Sequence, residues 1–138
     1  DLKGFIKMQK NIFYKSHFFE FQMATKSILS KSIPISGGGY LRIFPWMMSK
    51  WLIKQYLKGG HFFAFYIHPF ELSSRNDTPL PKNTKSLQKL RFTLGKKTVS
   101  KKLTNLIKLL KSNNYEFVTF SDLRKKLLNS INNKTLFC

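Results

Sequence analysis

The sequence predicts an α/β fold built on parallel strands, as in part of a closed barrel, and three observations lead there. The run Phe62-Phe63-Ala64-Phe65-Tyr66-Ile67 is short and rich in aromatic side chains, which favours a buried strand over a helix. Residues from Pro45 to Lys58 carry Met48, Trp51, Leu52 and Tyr56 at helical spacing and stop at Gly59-Gly60, directly before that run. Helix, glycine turn and strand together form the αβ unit that a parallel sheet requires. Finally, alternation sets Phe62, Ala64, Tyr66 and His68 on one face of the strand and His61, Phe63, Phe65 and Ile67 on the other. A small residue in mid-face and a titratable group at the C-terminal end suit a barrel interior, whose chemistry sits at the C-terminal rim.

Taken in order, residues 1 to 17 are basic with scattered apolar positions, and Ile12-Phe13-Tyr14 is the one convincing short strand there. In Phe18-Phe19-Glu20-Phe21-Gln22-Met23, alternation separates Phe19, Phe21 and Met23 from Phe18, Glu20 and Gln22, which predicts a second barrel-type strand. Glu20 stands out, because a carboxylate in a core strand is costly unless it is paired or points into a wet site. Ser30 to Ser36 reads as an irregular approach to Gly37-Gly38-Gly39-Tyr40-Leu41-Arg42. Three successive glycines signal unusual dihedrals or a close approach, so this stretch reads either as a tight loop presenting Tyr40 and Arg42 at a cleft or as a plain turn. It lacks the spaced glycines and Lys-Ser/Thr ending of a P-loop.

Pro69 disfavours helical geometry at His68 and cannot donate to a ladder, so the aromatic strand should end there. The polar segment Ser73 to Ser86, with Asn76-Asp77 and Pro79-Leu80-Pro81, is expected to be an excursion at the rim, where substrate loops usually lie. Thr98 or Ser100 caps a helix to about Ser112 that sets Leu103, Leu106, Ile107 and Leu110 on one face. Tyr115 to Phe120 reads as another strand, and Ser121 as the cap of a last helix with Leu123, Leu127 and Leu128. Residues 1–131 are thus expected to belong to one domain, with 132–138 as a frayed tail. There is no internal repeat.

The chain of 138 residues is 42% hydrophobic, enough for one core. Its 25 basic against 6 acidic residues give a net charge of +19, which attracts polyanions such as nucleic acid or an anionic membrane surface. The charges are scattered from Lys3 to Lys134, however, and pairs such as Lys96-Lys97 and Lys101-Lys102 lie beside apolar helical patterns, as on a solvated face. No specific nucleic-acid partner is expected from this pattern. Cys138 is the single cysteine, so an internal disulfide is excluded. No apolar run approaches the roughly 18 to 20 residues of a spanning helix. The chain opens on Asp1 rather than Met, from which a processed or truncated start is expected.

Few groups remain for chemistry. The histidines are His17, His61 and His68, and no two have the i, i+4 spacing of a helical metal site. On a strand, His61 and His68 would lie roughly 23 Å apart on opposite faces. A Gly-x-Ser-x-Gly nucleophile elbow is absent. What is left is His68 with Glu71, Tyr66 and Arg42, and Glu20 besides: an acid/base group with positioning groups, and no metal ligand set.

The stretch Ile35-Ser36-Gly37-Gly38-Gly39-Tyr40-Leu41-Arg42 with Phe44-Pro45, followed after a helix by Phe65-Tyr66-Ile67-His68-Pro69-Phe70-Glu71-Leu72, resembles the C-terminal part of polysaccharide deacetylases of the NodB-homology class. The similar branch is associated with exopolysaccharide and exosortase gene clusters and shows a Gly-Gly-Gly-Tyr-x-Arg loop and a His-Pro-Trp-Glu strand end. The resemblance spans roughly Phe18 to Leu128. It implies the C-terminal portion of a distorted (β/α) barrel that removes N-acetyl groups from amino-sugar polymers, with a divalent, zinc-like metal held by an aspartate and two histidines in the complete protein.

By the same resemblance, His68 is the general acid that protonates the leaving amine, while Gly38, Gly39, Tyr40, Arg42, Tyr66 and Glu71 fall in substrate-binding positions. Imidazole as a group titrates near pH 6.5, which suits that donation. Glu20 is then either the residue that orients the imidazole or an ordinary partner of a lysine. Tyr66 stands where the family usually has Leu, and Phe70 where it has Trp. The Thr-Phe-Asp-Asp strand and the His-x-x-x-His motif of the metal-binding half are absent from these 138 residues, so the chain is expected to be a fragment or remnant that needs the missing N-terminal half.

Two other readings compete. One is a basic polyanion-binding module with exposed aromatics on a sheet face. The other is a non-catalytic glycan-binding domain on the same fold, with Trp46, Trp51 or Tyr40 stacking on sugars.

Overall fold

The computed structural model describes residues 2–73, 80–81 and 83–135. It is a mixed α/β domain with two small antiparallel sheets and six helices among those residues. A meander of β1 (Ile6–Gln9), β2 (Ile12–Lys15) and β3 (Phe18–Phe21) forms the first sheet, and the hairpin of β4 (Thr25–Ile28) and β5 (Lys31–Pro34) forms the second. Helices α1 (Gly38–Ile43), α2 (Trp46–Leu57), α3 (Pro69–Leu72), α4 (Ser86–Thr93), α5 (Lys96–Lys111) and α6 (Phe120–Thr135) follow.

The hairpins close through residues in left-handed geometry. Ser16 and His17 turn β2 into β3 with φ of 47° and 67°, and Leu29 and Ser30 turn β4 into β5 with φ of 45° and 63°. Two successive positive φ values match the right-handed twist of a two-residue hairpin. The strand expected at Ile12-Phe13-Tyr14 is present as β2, and the one at Phe18 to Met23 as β3, with Phe19 buried and Phe18 exposed. Both lie in an antiparallel meander. The irregular approach expected at Ser30 to Ser36 is instead the β4–β5 hairpin with its return strand.

Helix α2 buries Ser49, Leu52, Ile53, Tyr56 and Leu57, a stripe at 3–4 residue spacing. Met48 and Trp51, expected on that face, are exposed. Helix α5 begins at Lys96, after Gly95 at φ 78°, two residues before the expected Thr98 cap. Thr98 Oγ1 donates to the Gly95 carbonyl instead. The buried face of α5 is Val99, Leu106, Leu109 and Leu110, while Ile107 sits at its edge. These two helices meet Ala24, Ile35 and Leu41 in one core, with Phe63, Phe65 and Tyr115 packed against it.

Other expectations change. Residues 62–67 form no strand ladder: the backbone enters a single parallel bridge, between Gly37 and Tyr66. Residues 115–120 also lack a ladder, and the helix after them is capped by Thr119, not Ser121. Thr119 Oγ1 accepts from the Asp122 N–H at 3.1 Å and donates to the Asp122 carboxylate at 2.7 Å. A ladder needs a neighbouring strand, and among the described residues neither run has one. No barrel closes among the described residues for the same reason. The glycine stretch is not a loop but the start of α1. Half of the rim excursion expected at Ser73 to Ser86, residues 74–79 and 82, lies outside the described residues, as do Asp1, Cys138 and the end of the expected tail.

Candidate functional site

The end of the aromatic run carries the chemistry-bearing cluster. The Tyr66 N–H donates to the Ser36 carbonyl at 3.2 Å and the Gly38 N–H donates to the Tyr66 carbonyl at 2.9 Å, so the bridge brings the start of α1 beside the start of α3. Ser36 is fully buried and fixed on its other side, its Oγ accepting from the Ala24 N–H at 2.9 Å. Pro69 at the first position of α3 suits a helix start, since its missing N–H would have had no partner there.

His68 is the N-cap of α3, and Glu71, three residues on, reaches back: its Oε2 accepts the His68 backbone N–H at 3.0 Å. This is the carboxylate arm of a capping box. Glu71 is only 2% exposed, and its carboxylate lies against the backbone at Gly38, where any β-carbon would overlap Oε2. Glycine is therefore required at 38 by close approach. Glu71 thus holds the His68 backbone in place and does not itself face solvent.

The His68 imidazole is exposed and flanked by rings. Phe70 stacks on it with centroids 5.5 Å apart, and Tyr66 meets it edge-on at 5.3 Å. Behind Phe70 lie two buried cations, the Arg42 guanidinium at 6.0 Å and the Lys96 ammonium at 5.8 Å from its ring centre. Arg42 is turned inward, donating from Nη1 to the Phe92 carbonyl at 2.8 Å, so it is not presented at a cleft as the sequence suggested. Tyr40 is partly exposed and rests on Phe44 at 5.8 Å.

Lys102 extends this support. Its ammonium donates to the carbonyls of Arg42 at 2.9 Å and Phe44 at 2.8 Å, closing the C-terminal end of α1, and burial lowers its pKa. Gly95, at the α4–α5 junction, packs on the Arg42 backbone so closely that a β-carbon would overlap the Arg42 carbonyl oxygen.

Gly38, Gly39, Tyr66, His68 and Glu71 are therefore brought together, with Arg42 behind them and Tyr40 one turn along α1. Glu20 is elsewhere. It pairs with Phe13 across the first sheet, and β3 reaches the aromatic run through Phe21 on Phe62, at the opposite end from His68. Of the supporting residues, Phe70 stood out only as a departure from the resembled family, and Phe92, Gly95, Lys96 and Lys102 had no place in the site read from the sequence. A glycine directly before the lysine-rich start of α5 is the signal that could have found two of them.

A cavity lies at the other end of the aromatic run, away from His68. It measures about 410 Å³ and is lined by residues 60–65 and 115–120 with Leu110 and Leu123. The Tyr115 hydroxyl donates to the His61 carbonyl at 3.0 Å across it. Tyr56 lies beneath, its hydroxyl donating to the Phe62 carbonyl at 2.7 Å and accepting from Asn11 Nδ2 at 2.8 Å, and burial pushes its pKa up to about 12. No group of three His, Cys, Asp or Glu side chains among the described residues could hold a metal ion. The metal that the resemblance implies is therefore not one these residues fit.

The family model described as "Domain of unknown function (DUF3473)" matches residues 1–125. The chain belongs to this family. No curated protein and no solved structure matches it. No helix among the described residues is long and apolar enough to cross a membrane.

Proposed function

We propose that this DUF3473 chain is the C-terminal part of a metal-dependent polysaccharide deacetylase and supplies its general acid, His68. The observation that carries the reading is the His68 constellation. An exposed imidazole has its backbone fixed by a buried carboxylate, and that carboxylate is seated against a glycine the helix start needs. Such an arrangement fixes the backbone from which the proton donor projects. Rings on two sides of the imidazole, Phe70 and Tyr66, suit a sugar ring approaching from the remaining side.

The barrel belongs to the same proposal. Three segments run directly into helices: residues 35–37 into α1, 61–68 into α3 and 115–119 into α6. The first two are joined by a parallel bridge. Each is in the chain order of a β/α unit, and strands supplied by the metal-binding half would give the two unladdered runs their partners. In this reading the metal ligands and the base lie in that half. The residues of this chain hold and orient a proton at His68 and pack the floor behind it.

The test is acetate release from an N-acetylated amino-sugar oligomer by the complete protein that carries this segment, comparing wild type with His68→Ala. General-acid loss lowers kcat by about 10²- to 10⁴-fold with little change in KM. A variant with undiminished kcat would remove His68 from the mechanism. A wild-type protein that releases no acetate from any such oligomer, with or without added divalent metal, would remove the deacetylase reading itself.

A further inference from the structure

We infer that the groove between α2 and α5 is a binding site for an acidic polysaccharide, separate from His68. Trp46, Lys50 and Lys54 recur every fourth residue along one side of α2, and Asn105, Lys108, Leu109 and Ser112 recur at three- and four-residue intervals along α5. The two rows face one another across a groove of about 590 Å³. The eight residue steps of helix from Trp46 to Lys54 give it a length of about 12 Å, long enough for more than one sugar ring.

Its charge has one sign. Three lysines line the groove, no acidic side chain does, and none of the three has an ion-pair partner among the described residues. Three ammonium groups held on facing helices make a stronger local field than lysines scattered on a surface. The neutral lining is also of a kind that sugars use. The Trp46 indole is anchored against the core cluster while one part lines the groove, and Asn105 adds an amide with no hydrogen-bond partner among the described residues.

The site lies at the far end of α5 from the cluster around His68. Lys96 faces Phe70 in the first turn of α5, and Lys108 lies twelve residues later, about 18 Å along the helix. A polymer carrying carboxylates on some of its sugars would bind here by ammonium–carboxylate contacts with an indole against a ring. The choice of a sugar polymer over other polyanions rests on the deacetylase reading; the groove and its charge do not.

The test is tryptophan fluorescence of the chain titrated with polygalacturonate oligomers, in a Trp51→Phe background so that Trp46 is the sole reporter. The expected result is a saturating change that weakens at least tenfold in Lys50→Gln/Lys54→Gln/Lys108→Gln. A control triple of equal charge change elsewhere, Lys97→Gln/Lys101→Gln/Lys125→Gln, should bind as the parent does, and so should His68→Ala. Equal weakening in both triples would reduce the effect to the overall charge of the chain and overturn the site. Tighter groove-dependent binding of single-stranded DNA than of the uronate oligomer would overturn the polysaccharide assignment. A flat titration with polygalacturonate would overturn the proposal whatever the outcome of the acetate-release assay.

Discussion

The packing of Glu71 against Gly38 can be tested with one pair of alanine substitutions that differ only in what their new methyl groups meet. At Gly38 a β-carbon would overlap Glu71 Oε2, come within 2.7 Å of Ile67 Cγ1 and lie 3.0 Å from Glu71 Cδ. The Glu71 side chain is 2% exposed, so its carboxylate has no free space to swing into. Overpacking of this kind costs about 1–3 kcal/mol. Displacing the carboxylate also loses its bond to the His68 N–H, worth about 1.5–3 kcal/mol for a charged acceptor. Against these stands a helix-propensity gain of at most about 1 kcal/mol for Gly→Ala.

The net expectation for Gly38→Ala is a loss of about 2–4 kcal/mol, which for a domain of this size lowers Tm by roughly 6–15 °C. Gly39 is the control. Its β-carbon would meet only Glu71 Oε1, at 3.5 Å, an ordinary contact. Gly39→Ala should therefore be neutral or stabilising by up to about 1 kcal/mol. Urea and thermal unfolding of both variants measure the difference. A Gly38→Ala protein as stable as Gly39→Ala would refute the close seating of Glu71, and with it the account of how His68 is held.

Other predictions follow from the same contacts. Tyr56→Phe leaves the Phe62 carbonyl and the Asn11 amide without their shared hydroxyl and should cost about 1–3 kcal/mol by urea unfolding. In the wild type, a Tyr56 pKa raised from 10.0 to about 12 means the native state holds its proton longer, so that contribution to stability is complete below pH 10 and fades as pH rises to about 12; the fade should be absent in Tyr56→Phe. Lys102→Met removes two carbonyl contacts at the end of α1 and should lower stability by about 1–3 kcal/mol. Because burial lowers the Lys102 pKa, the unfolded state binds the extra proton just below 10.5, so stability rises with pH there in the wild type and that rise should vanish in Lys102→Met. Gly95→Ala combines a positive φ with overlap on the Arg42 carbonyl and should destabilise more than Gly60→Ala, whose positive φ meets open space; thermal unfolding of the two checks it.

How much of this fold could be read in the sequence depended on whether the signal was local. Helix α2 and part of the core row of α5 announced themselves because their apolar residues recur at the helical period and Gly59-Gly60 mark the end of α2. The buried edges were shifted by one position: Trp51 and Met48 are large and apolar yet exposed, while the small Ser49 is inside, a choice set by which neighbour packs there. The β4–β5 hairpin was invisible for a different reason. Its turn is Leu29-Ser30 with no glycine, asparagine or aspartate, and its strands, Thr25–Ile28 and Lys31–Pro34, carry two lysines and three hydroxyl side chains. Only pairing between the two segments makes them strands.

The aromatic run was misread as a ladder-forming strand because composition reports burial, and burial does not require a ladder. Phe63 and Phe65 pack against the core, yet the backbone beside them has no neighbouring strand among the described residues. The site was legible where chemistry is carried by neighbours in sequence: His68, Glu71 and Tyr66 lie within six residues, and the capping spacing that joins His68 to Glu71 is itself a sequence pattern. It was not legible where the support is long-range. Lys102 reaches α1 across 60 positions and Arg42 reaches Phe92 across 50, and no periodicity encodes either contact. Glu20 shows the same limit from the other side. Alternation identified its face correctly as the polar one of β3, but which element that face meets is decided by the meander, and the meander carries β3 to Phe62 and not to His68. A residue's face is a local property and its neighbour is not, so site residues close in sequence survive the fold, while those joined only by an assumed topology depend on it.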